Sequence, residues 1–309
     1  MIRAGNELMK VVRESLGLSQ AQMAERLHMT QRTISRIETG NRDLGVWEYF
    51  SLMEMAGNPT EDLLPLLLDS GELKDYYTFK KIKELIGKYM FAEIRDILSE
   101  FEKDLSSKQP FIIQYVAYAK IHTDEEMPHE QAIKELYEVL RMSVKNFEEC
   151  NISKYRFTYN EINIIFAIAV RMEALGRLDC AMSLYKSVIE SRGNAFATDE
   201  DKSRIFPAYM YNLSRLLGRS GMHKESLSYS RDAYGLCKKY SNFRLVPNLL
   251  FNMAHSYYYL GEEKQIYQTY LIRAYHTAHA LGNTEIVNLS KKNAEKFGIP
   301  DLEFTNHGD

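Results

Sequence analysis

Hydrophobic residues recur every three or four positions along nearly the whole chain, a spacing typical of amphipathic α-helices with one buried face. Leu, Met, Ala, Glu, Lys and Tyr carry this period, and proline is scarce at 7 of the 309 residues. No sustained run of alternating β-branched residues bounded by turn signals interrupts it. The pattern predicts an all-α protein.

Short helices with sharp ends make up the N-terminal region. The first is predicted to end near Gly17, and Ser19 with Gln22 three positions later forms a capping box that starts the second. After a tight turn, Thr30 is expected to cap a third helix over residues 31–38. Two short helices joined in this way predict a helix-turn-helix.

Three segments of this region resemble the Cro/repressor-type (XRE) DNA-binding domain. They read Gly17-Leu18-Ser19-Gln20, Met23-Ala24 and Thr33-Ile34-Ser35-Arg36-Ile37-Glu38-Thr39-Gly40. The resemblance implies a five-helix domain over residues 1–68, with the fifth helix at 60–68. It also implies a buried ion pair between Arg13 and Glu38 that has a structural role, since breaking one partner strands a charge.

The third helix carries the candidate DNA-reading side chains on the face opposite its apolar residues. Gln suits adenine and Arg suits guanine in the major groove, while groups at helix ends suit phosphates. The predicted base-reading residues are Gln31, Arg32, Thr33, Ser35 and Arg36. The predicted phosphate-binding residues are Gln20, Asn41 and Arg42.

Charge leaves an alternative open for this domain. Residues 1–68 hold seven Lys and Arg against nine Asp and Glu, so a helix-turn-helix that binds protein, or no longer binds DNA, is a competing interpretation. Arg32, Arg36 and Arg42 still form a small positive stripe, which a dimer would double across two half-sites. We therefore expect a homodimer on a palindromic double-stranded operator.

A polar, glycine-containing stretch at 69–76 is predicted to be a linker. Beyond it, three glycines each follow a small residue by seven positions. Prolines precede several of the small residues by seven, where they fit the first position of a helix. The pairs are Ala169 with Gly176, Ser214 with Gly221, and Ala254 with Gly261; the prolines are Pro110, Pro207 and Pro247. The pattern resembles tetratricopeptide repeats. It predicts a right-handed α-solenoid of degenerate repeats over 77–309, with five helical hairpins and a terminal cap near 285–297.

The concave face of such a solenoid is a candidate peptide-binding groove. Asn212 and Asn252 take equivalent places in successive repeats, and by resemblance to tetratricopeptide domains each would pair its amide with ligand backbone. Bonding between neighbouring helices is the alternative role. The predicted peptide-binding residues are Asn163, Asn212, Arg215, Arg219, Asn248, Asn252, His255 and Tyr259. The ligand expected there is a short, mostly apolar peptide with a carboxylate near the arginines.

Other chemistry finds little support. His276 and His279 share a helix face, but no acidic or Cys ligand falls in register with them, so no metal site and no cofactor are predicted. Nucleotide-binding and hydrolase motifs are lacking, which argues against an enzyme. The three widely spaced cysteines are expected to be reduced. Without a membrane span or signal segment, the chain is predicted to be cytoplasmic.

An XRE-type domain followed by degenerate tetratricopeptide repeats resembles the RRNPP family of cytoplasmic receptors for short signalling peptides in Gram-positive bacteria. The resemblance implies a quorum-sensing transcriptional regulator controlled by a peptide in the groove. Two alternatives stay open at this point: the repeats bind another protein, or they only dimerise.

Overall fold

The computed structural model describes residues 5–57, 70–88, 90–101, 110–149, 152, 155–191 and 199–299. Within these residues it contains fifteen α-helices and no β-strand, so the all-α prediction is confirmed. The helices are α1 (Gly5–Ser15), α2 (Gln20–Arg26), α3 (Gln31–Glu38), α4 (Val46–Met55), α5 (Ser70–Lys88), α6 (Phe91–Phe101), α7 (Pro110–Thr123), α8 (His129–Arg141), α9 (Tyr159–Ala174), α10 (Leu178–Glu190), α11 (Asp199–Arg219), α12 (His223–Lys239), α13 (Val246–Tyr259), α14 (Lys264–Ala280) and α15 (Thr284–Lys296).

Contacts group the chain into two compact units. The first comprises residues 1–177 with 193–198, and the second comprises 178–192 with 199–309. The first unit therefore holds the helix-turn-helix helices together with α5 to α9, and the second holds α10 to α15. The domain boundaries near residues 68 and 77 stay a prediction.

The helices of the helix-turn-helix begin at the caps predicted from the sequence. Ser19 Oγ accepts a hydrogen bond from the Gln22 amide, and the Gln22 side chain accepts one from the Ser19 amide. Thr30 caps α3 with a single bond: its Oγ1 accepts from the Thr33 amide at 3.1 Å. Gly17 takes a φ of +65°, which lets α1 end in a tight turn. The fifth helix expected at 60–68 lies outside the described residues.

The core of the helix-turn-helix, as far as the structure describes it, consists of apolar side chains from α1, α2, α3 and α4. Its fully buried members are Met9, Met23, Ile34, Ile37 and Leu52. Because Ile34 and Ile37 both point into this core, the opposite side of α3 is left for solvent.

The segment predicted as a linker differs in the structure. Residue 69 is not described, but residues 70–76 are the first part of α5 instead of an irregular connection. The physical reason is an apolar stripe: Tyr76, Phe79 and Ile82 are spaced three apart and are all buried, so the helix that carries them extends back through the polar residues.

Helix pairs in chain order follow the repeat pattern. Gly176, Gly221 and Gly261 have φ values of +75°, +78° and +73°, and each ends a helix. In the second unit, each helix from α10 to α15 packs against the next, and α13 also packs against α11 and α15. Such contacts between alternate helices are typical of stacked helical hairpins.

The position of Pro207 differs from the one that the repeat pattern predicts. Pro110 begins α7 and Pro247 lies in the first turn of α13, as expected, but Pro207 lies inside α11. Proline has no N–H to donate to the carbonyl four residues earlier, which is that of Ser203. Asn242 Nδ2 donates to this oxygen at 3.2 Å. A side chain from the α12–α13 connection therefore satisfies the acceptor that the proline leaves free.

Candidate functional sites: the recognition helix and the asparagine face

The recognition helix α3 is fixed to α1 and α2 through Glu38. Arg13 Nε donates to Glu38 Oε1 at 2.5 Å, and Arg13 donates a second hydrogen bond to Oε2 at 3.2 Å. Gln20 Nε2 also donates to Oε2, at 2.8 Å. Burial favours a raised pKa for the Glu38 carboxyl, but the hydrogen bonds from Arg13 and Gln20 outweigh it and lower that pKa. Three helices thus meet at one ionised carboxylate.

Gln20 therefore differs from the other candidate DNA contacts. Its amide N–H is engaged by Glu38, so its side chain orients α2 against α3. The phosphate contact predicted for it would use the remaining donor capacity of the same amide. Its contact with DNA stays a prediction.

The exposed face of α3 presents the predicted base-reading side chains together. Gln31, Arg32 and Arg36 are exposed, whereas Thr33 and Ser35 are half-buried. Thr33 Oγ1 lies 2.9 Å from Thr30 Oγ1, within the N-terminal cap of the helix. Among the described residues, the side chains of Gln31 and Arg32 have no hydrogen-bond or ion-pair partner, so both side chains are available to DNA.

Unlike Gln31 and Arg32, the predicted DNA-contacting residues after α3 have bonding partners within the protein. Asn41 Nδ2 donates to Thr39 Oγ1 at 2.9 Å, and Arg36 reaches the Asn41 carbonyl at 3.4 Å. Arg42 pairs with Glu48 Oε1 at 2.6 Å on α4. A phosphate bound by Arg42 would compete with this partly exposed carboxylate.

In the second unit, α11 and α13 bring most of the predicted peptide-binding residues onto neighbouring helices. Asn212 Nδ2 donates to its own helix at Ala208 O (3.1 Å), and Asn212 Oδ1 accepts from Arg215 (3.1 Å). Asn252 Nδ2 donates across to Ser214 Oγ on α11 at 2.9 Å. In the described part of the chain, no donor reaches Asn252 Oδ1.

Asn248 and Asn163 are bound within the protein. Asn248 is buried, donates to the Tyr211 hydroxyl at 3.2 Å and accepts from Asn283 at 3.1 Å, so it links α13 to α11 and to the N-cap residue of α15. Asn163, on α9 in the first unit, donates to Tyr159 O at 2.9 Å in its own helix. Sequence reasoning did not find the Asn248–Asn283 contact, because nothing in the repeat pattern marks Asn283.

An aromatic stack lies at the end of α13. The Tyr259 ring stacks on His223 at 4.8 Å between centroids and lies 4.6 Å from His255. Burial lowers the pKa of His255 to about 4, with smaller contributions from His223 and Lys296, so His255 is neutral at pH 7. Lys296 donates a hydrogen bond to the Tyr259 hydroxyl. Sequence reasoning did not find His223, because nothing in the repeat pattern marks it.

Arg215 and Arg219 lie on the same helix as Asn212, one turn apart. Arg215 is half-buried and Arg219 is exposed. Together they make this end of α11 cationic, which suits a carboxylate. His276 and His279 lie on α14, and no group of three His, Cys, Asp or Glu able to hold a metal ion occurs among the described residues.

A buried polar network that sequence reasoning missed lies in the first unit. Arg26 of α2 pairs with Glu161 of α9 at 2.5 Å, and both side chains are nearly inaccessible, at 9% and 1% exposure. Glu161 also accepts hydrogen bonds from Ser143 Oγ (2.6 Å) and from the Thr158 amide (2.8 Å). Thr158 and Glu161 have capping-box spacing, which is readable in the sequence, but the pairing with Arg26 spans 135 positions.

Comparison with known protein families agrees with the helix-turn-helix described above. Residues 9–46 match the Helix-turn-helix family. No similar sequence was found among curated proteins. No helix in the described ranges is both long and apolar enough to cross a bilayer.

Solved structures share the fold over most of the chain. Bacillus thuringiensis PlcR, in complex with the peptide PapR7 and DNA, is 17% identical with a TM-score of 0.61, covering 93% of this chain and 97% of its own. ComR from S. thermophilus, in complex with DNA and its signalling peptide ComS, is 15% identical with a TM-score of 0.53, covering 95% and 99%. Apo ComR from Streptococcus vestibularis is 13% identical with a TM-score of 0.53, covering 95% and 98%. The chain therefore carries a helix-turn-helix domain and resembles, in its whole fold, the RRNPP-type regulators PlcR and ComR.

Proposed function

We propose that the protein is a DNA-binding transcriptional regulator controlled by a short signalling peptide. The observation that carries the DNA-binding part is the exposed face of α3, where Gln31, Arg32 and Arg36 are presented together on a helix fixed by the Arg13–Glu38 pair. Gln and Arg are the side chains that read adenine and guanine edges. A homodimer on a palindromic operator supplies the phosphate contacts that one domain with so few basic residues lacks.

The peptide-binding part rests on the face formed by α11 and α13 in the second unit. Asn252 offers an unbonded carbonyl oxygen, and Asn212 lies beside the cationic pair Arg215 and Arg219. Neighbouring helices lie about 8–10 Å apart, and an extended ligand advances about 3.3 Å per residue. The two asparagines would therefore meet ligand backbone about three residues apart. PlcR and ComR were each solved with a peptide, which supports the same use of this fold.

Alanine substitutions of the two asparagines test the peptide site. We expect Asn212→Ala and Asn252→Ala each to weaken binding of short apolar peptides with a free C-terminal carboxylate about tenfold or more, because an amide of the bound peptide loses its partner at about 1–3 kcal/mol. Isothermal titration calorimetry measures the change. Amidating the peptide C-terminus should weaken binding further in the wild type, since it removes the charge that faces the arginines.

Asn293 provides a matched control. It is half-buried on α15 and donates to Leu289 O of its own helix at 2.8 Å, as Asn212 does to Ala208 O. Asn293→Ala should therefore remove the same kind of internal bond without changing peptide affinity. If the Asn212 and Asn252 variants melt early and bind peptide as the wild type does, these asparagines only join helices and the peptide site lies elsewhere.

A further inference from the structure

The first unit contains a cavity of about 80 Å³ that opens to solvent. Its walls come from both the helix-turn-helix and the helices that follow: Trp47 of α4, Phe79 of α5, and Phe111 and Tyr115 of α7. The Trp47 and Phe111 rings lie 5.7 Å apart, and those of Phe79 and Tyr115 lie 5.0 Å apart. This part of the cavity wall is aromatic.

Other parts of the cavity lining are polar, and one chain of hydrogen bonds fixes the orientation of the two amides there. Gln114 Nε2 donates to Val139 O at 3.0 Å, and a backbone carbonyl can only accept. The Gln114 carbonyl oxygen must therefore face Asn160, whose Nδ2 donates to it at 2.7 Å. This arrangement leaves Asn160 Oδ1 as the acceptor at the end of the chain.

Asn160 Oδ1 is buried and has no hydrogen-bond partner in the described structure. Its side chain lines the cavity. Buried acceptors are nearly always satisfied, because an unmet one costs about 1–3 kcal/mol. The cavity is several times the roughly 10–15 Å³ that one water needs, so there is room for a larger donor than a single water.

Charge at the cavity is already balanced. Arg26 and Glu161, which both line it, neutralise each other, and Glu48 is paired with Arg42. The other two charged residues of the lining, Glu54 and Lys83, have opposite signs, and Lys83 Nζ lies 4.3 Å from the centre of the Tyr159 ring. A charged ligand would thus lose its hydration without gaining a free counter-charge.

We propose that this cavity binds a small neutral molecule with a planar apolar body and an N–H donor, of the class of primary aromatic amides. The N–H would satisfy Asn160 Oδ1, and the ring would pack between the aromatic walls. Because enclosing a benzene-sized ring takes about 150 Å³, part of the ligand would lie in the open mouth. The residues of this site are different from those of the peptide face. If the protein is the regulator proposed above, a ligand bound here would contact its helix-turn-helix and could act as a second signal.

The only tryptophan of the chain, Trp47, lines this cavity and reports on it directly. We expect benzamide to change Trp47 fluorescence saturably in the full-length protein. Methyl benzoate has a similar planar shape but no N–H, so it should bind about tenfold or more weakly. Asn160→Ala should abolish the difference between the two compounds. Asn293→Ala, which removes a half-buried amide bonded to Leu289 O on α15 and remote from the cavity lining, should preserve it.

Several results would overturn the site. If neither compound gives a saturable response, the cavity holds water only. If both bind the wild type equally, or if Asn160→Ala keeps the preference for benzamide, Asn160 Oδ1 is not the acceptor. Should Asn160→Ala fail to fold by circular dichroism, the comparison of the two compounds on the wild type still decides. No DNA or peptide is present, so the outcome is independent of the proposed regulatory function.

Discussion

Replacing Glu161 by alanine is expected to destabilise the first unit by about 3–5 kcal/mol, because it leaves the buried Arg26 guanidinium without a counter-charge. Glu161 is 1% exposed and accepts from Arg26, Ser143 and the Thr158 amide. The substitution thus removes an ion pair and a helix cap at once. Urea denaturation followed by Trp47 fluorescence measures the loss, since Trp47 lies in the same unit.

A surface ion pair of the same unit provides the matched control. Arg177 and Glu130 pair at side-chain exposures of 45% and 60%. Glu130→Ala should cost no more than about 1 kcal/mol, because solvent screens this pair. Replacing Arg26 and Glu161 together by Met and Leu should restore much of the stability lost in Glu161→Ala, since no unpaired charge is left. Equal losses for Glu161→Ala and Glu130→Ala would contradict a buried pair.

The affinity for DNA is expected to fall strongly when Arg36 is replaced. Arg36→Ala should weaken binding to an operator selected from random DNA by about 2–6 kcal/mol, because each half-site of a palindrome loses a base contact worth about 1–3 kcal/mol. The Arg36 side chain is exposed on α3, and among the described residues its one hydrogen bond is the 3.4 Å contact to the Asn41 carbonyl. Fluorescence anisotropy gives the affinity. A second selection with the variant should show relaxed base preference at one position of each half-site.

Arg42→Ala is the control for that experiment. Arg42 follows α3 and pairs with Glu48, so its role toward DNA would be a phosphate contact. Its loss should weaken binding to all sequences alike and lower the salt dependence by about one unit per half-site. If both variants lose affinity uniformly, Arg36 does not read a base and the reading helix has been assigned to the wrong side chains.

Local sequence patterns determined most of the secondary structure and the composition of the helix-turn-helix face. Ser19 with Gln22 and the cap at Thr30 set where α2 and α3 begin, and the spacing of Ile34 and Ile37 decided which side of α3 faces solvent. These signals act within a few residues, where capping and periodicity are sufficient. The same holds for Gly176, Gly221 and Gly261, whose left-handed conformation ends each helix.

Only the tertiary structure decided which polar groups meet. Whether Asn248 faces a ligand or the Tyr211 hydroxyl, whether residues 70–76 are irregular or helical, and how Ser203 O is satisfied beside Pro207 all depend on neighbours distant in the chain. The pairing of Arg26 with Glu161 is the clearest case: each residue alone has the appearance of an ordinary surface charge on an amphipathic helix. The fold buries both side chains, and a buried charge is strongly destabilising unless an opposite charge lies beside it. The pairing therefore depends on where the fold places the two residues.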